Sequence, residues 1–168
     1  TLNGDTFASH IEINDPNIKA TASDTLVRHS SGRYENTLNM YLDRGHLYNL
    51  GIIKDSLANL RATIESKITG HTVDDAEGFF TLSEVSYNAG SKYYYISRVE
   101  ALTAMETDST RALSIIADDI FDAQVNGRFR LSQLPTTFAN ATFSRFKFYE
   151  KRPTTDDQSY TYSLKVTA

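Results

Sequence analysis

Apolar and polar residues alternate along much of this chain, and each change of period marks a change of predicted element. Residues 1–48 read as short strands and turns. Phe7, Ser9, Ile11 and Ile13 fall on one side of an alternating stretch that ends at the turn cluster Asn14–Asp15–Pro16–Asn17. Leu26 and Val27 form another apolar piece, closed by Ser30–Ser31–Gly32. Leu38, Met40 and Leu42 then alternate with Thr37, Asn39 and Tyr41, which predicts a half-buried strand, with Asp43–Arg44–Gly45 as a turn after it.

From Leu50 the spacing lengthens. Leu50, Ile53, Leu57, Leu60 and Ile64 stand three and four apart, the spacing of an apolar helical stripe, and Gly70 offers a stop. This predicts a helix over about 52–68. Period two returns at Phe79, where Phe80 and Leu82 alternate with Thr81 and Ser83. The turn Asn88–Ala89–Gly90 and the run Lys92–Val99 complete a hairpin. Leu113, Ile116, Ile120 and Phe121 predict a second helix over about 109–125, capped by Asp108 or Ser109 and ended by Asn126–Gly127. Three further strands are predicted over 128–131, 142–150 and 160–166. The expected fold class is therefore α+β, a mainly antiparallel sheet packed by two helices, preceded by a β-rich segment. Residues 1–168 are expected to form one domain, with 1–48 the β-rich segment and 49–168 the α+β body.

Composition narrows the chemistry more than the fold. The 168 residues carry 40% apolar and 23% charged side chains, which suits a folded chain. The net charge of −4 supplies no global attraction to nucleic acid or an anionic membrane. No cysteine is present, so disulfides and thiolate metal sites are excluded. No apolar run reaches the length of a membrane span. The first residue is Thr1, which suggests a processed product or an excised segment. Richness in Thr, Ser, Asn and Tyr suits an extracytoplasmic or virion protein.

Four constellations merit weighing. Leu50, Ile53, Leu57, Leu60 and Ile64 cover about two heptads, which suggests a short oligomerising coil or a helix packed on its own sheet. Asp75, Glu77, Gly78, Phe80 and Glu84 follow an acidic pattern that resembles the calcium loop of an EF-hand from its third position onward. That resemblance implies Asp75, Glu77 and Glu84 as metal ligands, but Val73 stands where the loop needs its first. Asp118, Asp119 and Asp122 cluster near the end of the second predicted helix, where Asp118 and Asp122, four apart, suggest either a grip on a divalent cation or an acidic face that is solvated or salt-bridged by Arg128 and Arg130. The strands predicted over 128–131 and 142–150 interleave Arg128, Arg130, Arg145 and Lys147 with Phe143 and Tyr149, a surface on which single-stranded nucleic acid stacks and pairs. The chain's net acidity counts against that partner.

None of the four histidines lies in a metal or triad pattern, and no nucleophile elbow or phosphate loop is present. The leading expectation is a structural or adhesive module of a virion or cell surface, with no cofactor. It would act through protein contacts with itself or with a larger assembly. The alternatives are a carboxylate-dependent hydrolase and a module that binds single-stranded nucleic acid through the basic and aromatic hairpin.

Overall fold

The computed structural model describes residues 2–52, 54, 56–90, 92–143, 153 and 158–167. Ten strands form one antiparallel sheet in which spatial order follows chain order from β1 to β10. They are β1 (Leu2–Asn3), β2 (Thr6–Asn14), β3 (Ile18–Arg28), β4 (Tyr34–His46), β5 (Asn59–Gly70) and β6 (Glu77–Ala89). β7 (Lys92–Met105), β8 (Arg111–Ala117), β9 (Phe121–Arg128) and β10 (Ser159–Val166) complete the meander. Among the described residues, one helix, α1 (Leu134–Phe143), and a single 3-10 turn at Val73–Asp75 interrupt it.

The two predicted helices are absent, so the α+β assignment is corrected to an almost all-β fold. Residues 59–68 of the first lie in β5, and the second divides into β8 and β9. Spacing explains part of both errors, although the steps of three in each stripe, such as Leu113 to Ile116, fall on opposite faces of the sheet. Leu60, Ile64 and Ile68 are four apart, as are Leu113, Ala117, Phe121 and Val125, and a step of four satisfies a period of two as well as one of 3.6. The β-branched residues Thr63, Ile64, Ile68, Thr69, Ile115 and Ile116 resolve the ambiguity towards strand. The heptad reading fails with the helix: Leu50 and Leu57 are exposed in the β4–β5 connection, Leu60 and Ile64 sit on β5, and Ile53 lies outside the described residues.

Tight turns set the register. The predicted turns at 14–17 and 30–32 join β2 to β3 and β3 to β4. In the first, the Asp15 carboxylate accepts the Asn17 N–H at 2.8 Å. Between β8 and β9 the chain reverses at Asp118–Ile120, with Asp119 at φ +59°, a left-handed conformation that aspartate tolerates. The acidic cluster thus caps a hairpin, and Asp122 faces Lys165 across β9 and β10.

Asp43–Arg44 is a bulge inside β4 and not the predicted turn. Leu42 faces Ala62 and Gly45 faces Leu60, so Asp43 and Arg44 together stand opposite Arg61. A second bulge lies in β6, where Glu84 (φ +53°) and Val85 together stand opposite Ala62.

Register also sorts the side chains by face. One row across the sheet reads Ile11, Ala22, Met40, Ile64, Leu82, Val99, Ala117, Phe121, Val166. The row beside it, on the opposite face, reads His10, Ser23, Asn39, Glu65, Thr81, Glu100, Ile116, Asp122, Lys165. This clean alternation is what an antiparallel sheet shows when one side is apolar and the other meets water. A second layer of structure would normally cover the apolar side. Among the described residues, substantial packing is confined to neighbouring strands. Among the described residues the buried apolar side chains are mostly small (Ala20, Ala58, Ala62, Ala76, Ala117), joined by Leu42 and Phe129.

Candidate functional site

The apolar face is the chemically distinctive surface. Between Phe80 on β6 and Leu164 on β10, the register carries Phe80, Ala101, Ile115, Ala123 and Leu164 across it. A parallel row ends in Leu113, Val125 and Tyr162. Exposure rises towards the β10 edge, where Leu164 is 59% and Val166 66% exposed. Towards β3–β5 the face is broken by a polar pair, Asn36 donating to Asp24 at 2.6 Å.

At the β8–β10 end the face forms a groove of about 640 Å³. Leu113, Ile115, Phe121, Val125, Tyr162 and Leu164 supply its floor, and Leu131, Leu134 and Pro135 stand at the start of α1. None of its lining residues is charged. Tyr160 and Tyr162 bring the phenol groups, and burial, reinforced by Tyr162, pushes the Tyr160 hydroxyl pKa up, so it stays protonated at neutral pH. The volume lies in the range of small-molecule pockets, roughly 300–1,000 Å³. Such pockets use a few convergent polar groups to orient their ligand; here Gln124, Ser163 and the two phenols are the polar side chains of an otherwise apolar lining.

The end of the sheet beside α1 is polar and tightly tied. Arg111 is 2% exposed and donates to the carbonyls of Asp74 and Ala76, with its guanidinium 5.9 Å above the Phe129 ring. Burial lowers its pKa and the neighbouring Asp74, Glu77 and Asp75 raise it again, so it remains a cation. Asp74 accepts the Ser132 N–H at 2.9 Å, which ties the β5–β6 connection to the segment leading into α1.

The sequence-predicted site residues fare unevenly. Asp75 accepts the His71 and Thr72 N–H groups and the Thr72 hydroxyl as part of a capping box. Partial burial opposes its ionisation, but these bonds, with that of the His71 ring, outweigh it and hold the carboxyl well below the usual range. Glu77 pairs with Arg33 at 2.9 Å and accepts the Met105 N–H. Glu84 lies at the β6 bulge, so the three do not converge. Among the described residues no group of three or more His, Asp or Glu side chains is placed to hold a metal.

Arg128 ends β9 opposite Ser159, and Arg130 lies beyond the strand, so 128–131 is not a strand. Phe143 is the last residue of α1 and not part of a strand, while Arg145, Lys147 and Tyr149 lie outside the described residues. No family, curated protein or solved structure matches the chain.

Sequence reasoning missed the continuity of the apolar face. Its signal was the alternation itself, which runs through both stretches assigned to helices. It also missed the Ser23–His10 contact, Oγ to Nδ1 at 2.9 Å. That pair lies in mid-sheet, where ladder bonds occupy the surrounding backbone N–H groups, the usual donors to an oxyanion. It reads as a cross-strand polar contact. No helix among the described residues is long and apolar enough to cross a membrane.

Proposed function

We propose that the chain is a binding module whose working surface is the apolar face of the meander, taking extended aliphatic chains such as the acyl groups of a lipid. The uncharged groove at β8–β10 carries this reading. A ligand of methylene units needs apolar contact without fixed polar anchors, and this surface offers that. Each buried methylene contributes about 0.8 kcal/mol, so affinity should climb about tenfold for every two carbons added to the chain.

Ile115 and Ile116 provide the test. Ile115 lines the groove and Ile116 lies in the polar row of the opposite face. A fluorescent fatty acid displaced by laurate, myristate and palmitate should show affinity rising with length. Ile115→Asp should lose binding and Ile116→Asp should keep it. Binding that is independent of length, or lost equally in both variants, would overturn the proposal.

A second reading keeps the interaction module expected from the sequence: the same face buries against another copy of the chain. The run of aliphatic residues at the exposed edge strand β10 favours it. It requires a concentration-dependent dimer by light scattering that Ile115→Asp dissociates, with no fatty acid bound.

A further inference from the structure

The polar face carries a second constructed surface, independent of the apolar groove. The bulges of β4 and β6 flank β5 at adjacent residues, Arg61 and Ala62, and bulges of this kind re-aim side chains. Glu84 adopts a left-handed backbone at its bulge, an unfavourable conformation for a residue without a short polar side chain. Arg61 is fixed from the other side. Its Nε donates to the Asp43 carbonyl and its Nη2 to Asp43 Oδ1, both at 2.7 Å. Asp43 also meets Lys19 Nζ at 3.2 Å, and the Lys19 and Arg61 contacts together hold its carboxyl below the usual range.

Two shallow hollows open around this point, of about 360 and 250 Å³, and both are lined by Arg61, Ser86 and Tyr93. Tyr41 and Tyr95 line the smaller hollow, and Asn59 and Asn88 the larger. The rings stand in water: Tyr93 is 64% and Tyr95 55% exposed, on the side of the sheet that carries Arg61 and Tyr41.

We propose that the paired bulges build a saccharide-binding site, in which Tyr41, Tyr93 and Tyr95 offer ring faces and Arg61, Ser86 and Asn88 offer hydrogen bonds. The chemistry selects this occupant. Tyrosine ring faces are electron-rich and attract the polarised C–H edges of a sugar ring. Serine and asparagine both donate and accept, which matches hydroxyl groups that do the same. Charge gives an anion little purchase in the smaller hollow, where Arg61 is committed to Asp43 and Glu84 faces inward; the larger hollow carries Arg44 beside Asp43. A nucleic-acid strand would meet carboxylates beside each ring.

Saturation-transfer NMR with maltotriose, cellotriose and chitotriose tests the proposal, followed through the tyrosine ring protons. At least one of these neutral trisaccharides should bind, and Tyr93→Ala with Tyr95→Ala should weaken it about tenfold or more. Ser86→Lys keeps every ring but fills both hollows, and should do the same if the tyrosine pair variant fails to fold. Ile115→Asp, in the apolar groove, should leave sugar binding unchanged, which separates this site from the proposed function. Three results would each overturn it: no transfer to any trisaccharide at about 10 mM, binding indifferent to Ser86→Lys, or salt-sensitive binding of an oligothymidylate in preference to sugar.

Discussion

The two ends of this sheet are held by different means. At the end that carries the β3–β4, β5–β6 and β7–β8 connections, buried and half-buried charges join elements far apart in sequence. Arg111 reaches the 3-10 turn, Asp74 reaches Ser132, and Arg33 reaches Glu77. At the opposite end, contacts such as Asn49 to Asn17 at 2.7 Å are exposed and link neighbouring connections. A single-layer sheet has no central core to fix its shape; here the buried cation Arg111 sits at one end, while the other end buries small apolar side chains such as Ala20, Ala58 and Ala117. A buried ionic partner is costly to remove because the groups it served stay buried. An exposed pair yields its places to water.

The sharpest way to break this contrast is a matched pair of glycines. Gly78 lies at the tied end with φ +132°, and an added Cβ would fall 2.0 Å from the Lys67 carbonyl oxygen. Gly78→Ala should cost more than about 3 kcal/mol or prevent folding, by urea unfolding followed in circular dichroism. Gly51, in the β4–β5 connection at the other end, has φ +72° and open space around it. Gly51→Ala should cost about 1 kcal/mol. Equal losses would show that the ends are held alike.

Arg111→Met should come next, at about 3 kcal/mol, because the carbonyls of Asp74 and Ala76 lose their donor in a dry place. A loss below about 0.5 kcal/mol, the range of surface changes, would mean that water already reaches those carbonyls.

Acid should loosen the same end. Asp75 and Glu77 both have folded-state pKa values below their ordinary ones. For Glu77 the Arg33 contact is the chief cause; for Asp75 the capping bonds prevail over partial burial. A depressed carboxyl stabilises the fold above its unfolded pKa, near 4, and that contribution disappears as pH falls through the lower folded value. Asp75 is partly solvated, so its share is about 1 kcal/mol. Asp75→Asn should flatten the stability profile below about pH 4, and an unchanged acid limb would contradict the capping role. The smallest effect belongs to Asn49→Ala at the open end, within about 0.5 kcal/mol.

Much of the strand content was readable from residues, and the reasons are local. Asn14–Asp15–Pro16–Asn17 announces a turn by its own backbone preferences, and Leu38–Met40–Leu42 announces a strand within β4; the turn expected at Asn88–Ala89–Gly90 comes later, since Asn88 and Ala89 still pair within β6. Apolar steps of four, which fit two periods at once, hid β5, β8 and β9. α1 went unnoticed because it depends on Pro135 in its first turn and on the Thr137 hydroxyl bonding back to the Gln133 carbonyl, and neither makes an apolar stripe.

The functional surfaces were harder to see. Each alternating pair of residues looked ordinary, and only the register lines up nine strands to make one apolar row. The bulges that bring Asp43 and Glu84 towards Arg61 shift the register at two places, and no residue type marks them. Nor does anything in the sequence distinguish Arg111, whose burial is created by the turn it holds, from any surface arginine.

Strictly sequential pairing has a consequence for how the chain acquires its shape. Each strand finds its partner one connection away, so apart from the twelve residues between β4 and β5 and the detour through α1 the loops to be closed are small. Such a sheet can grow by one hairpin at a time from whichever pair forms first, as stacked repeat proteins do, without waiting for distant ends to meet. Its edges then behave as growth fronts: loss of an outer hairpin shortens the sheet and makes the next strand the new edge, while the strands further in keep both of their neighbours.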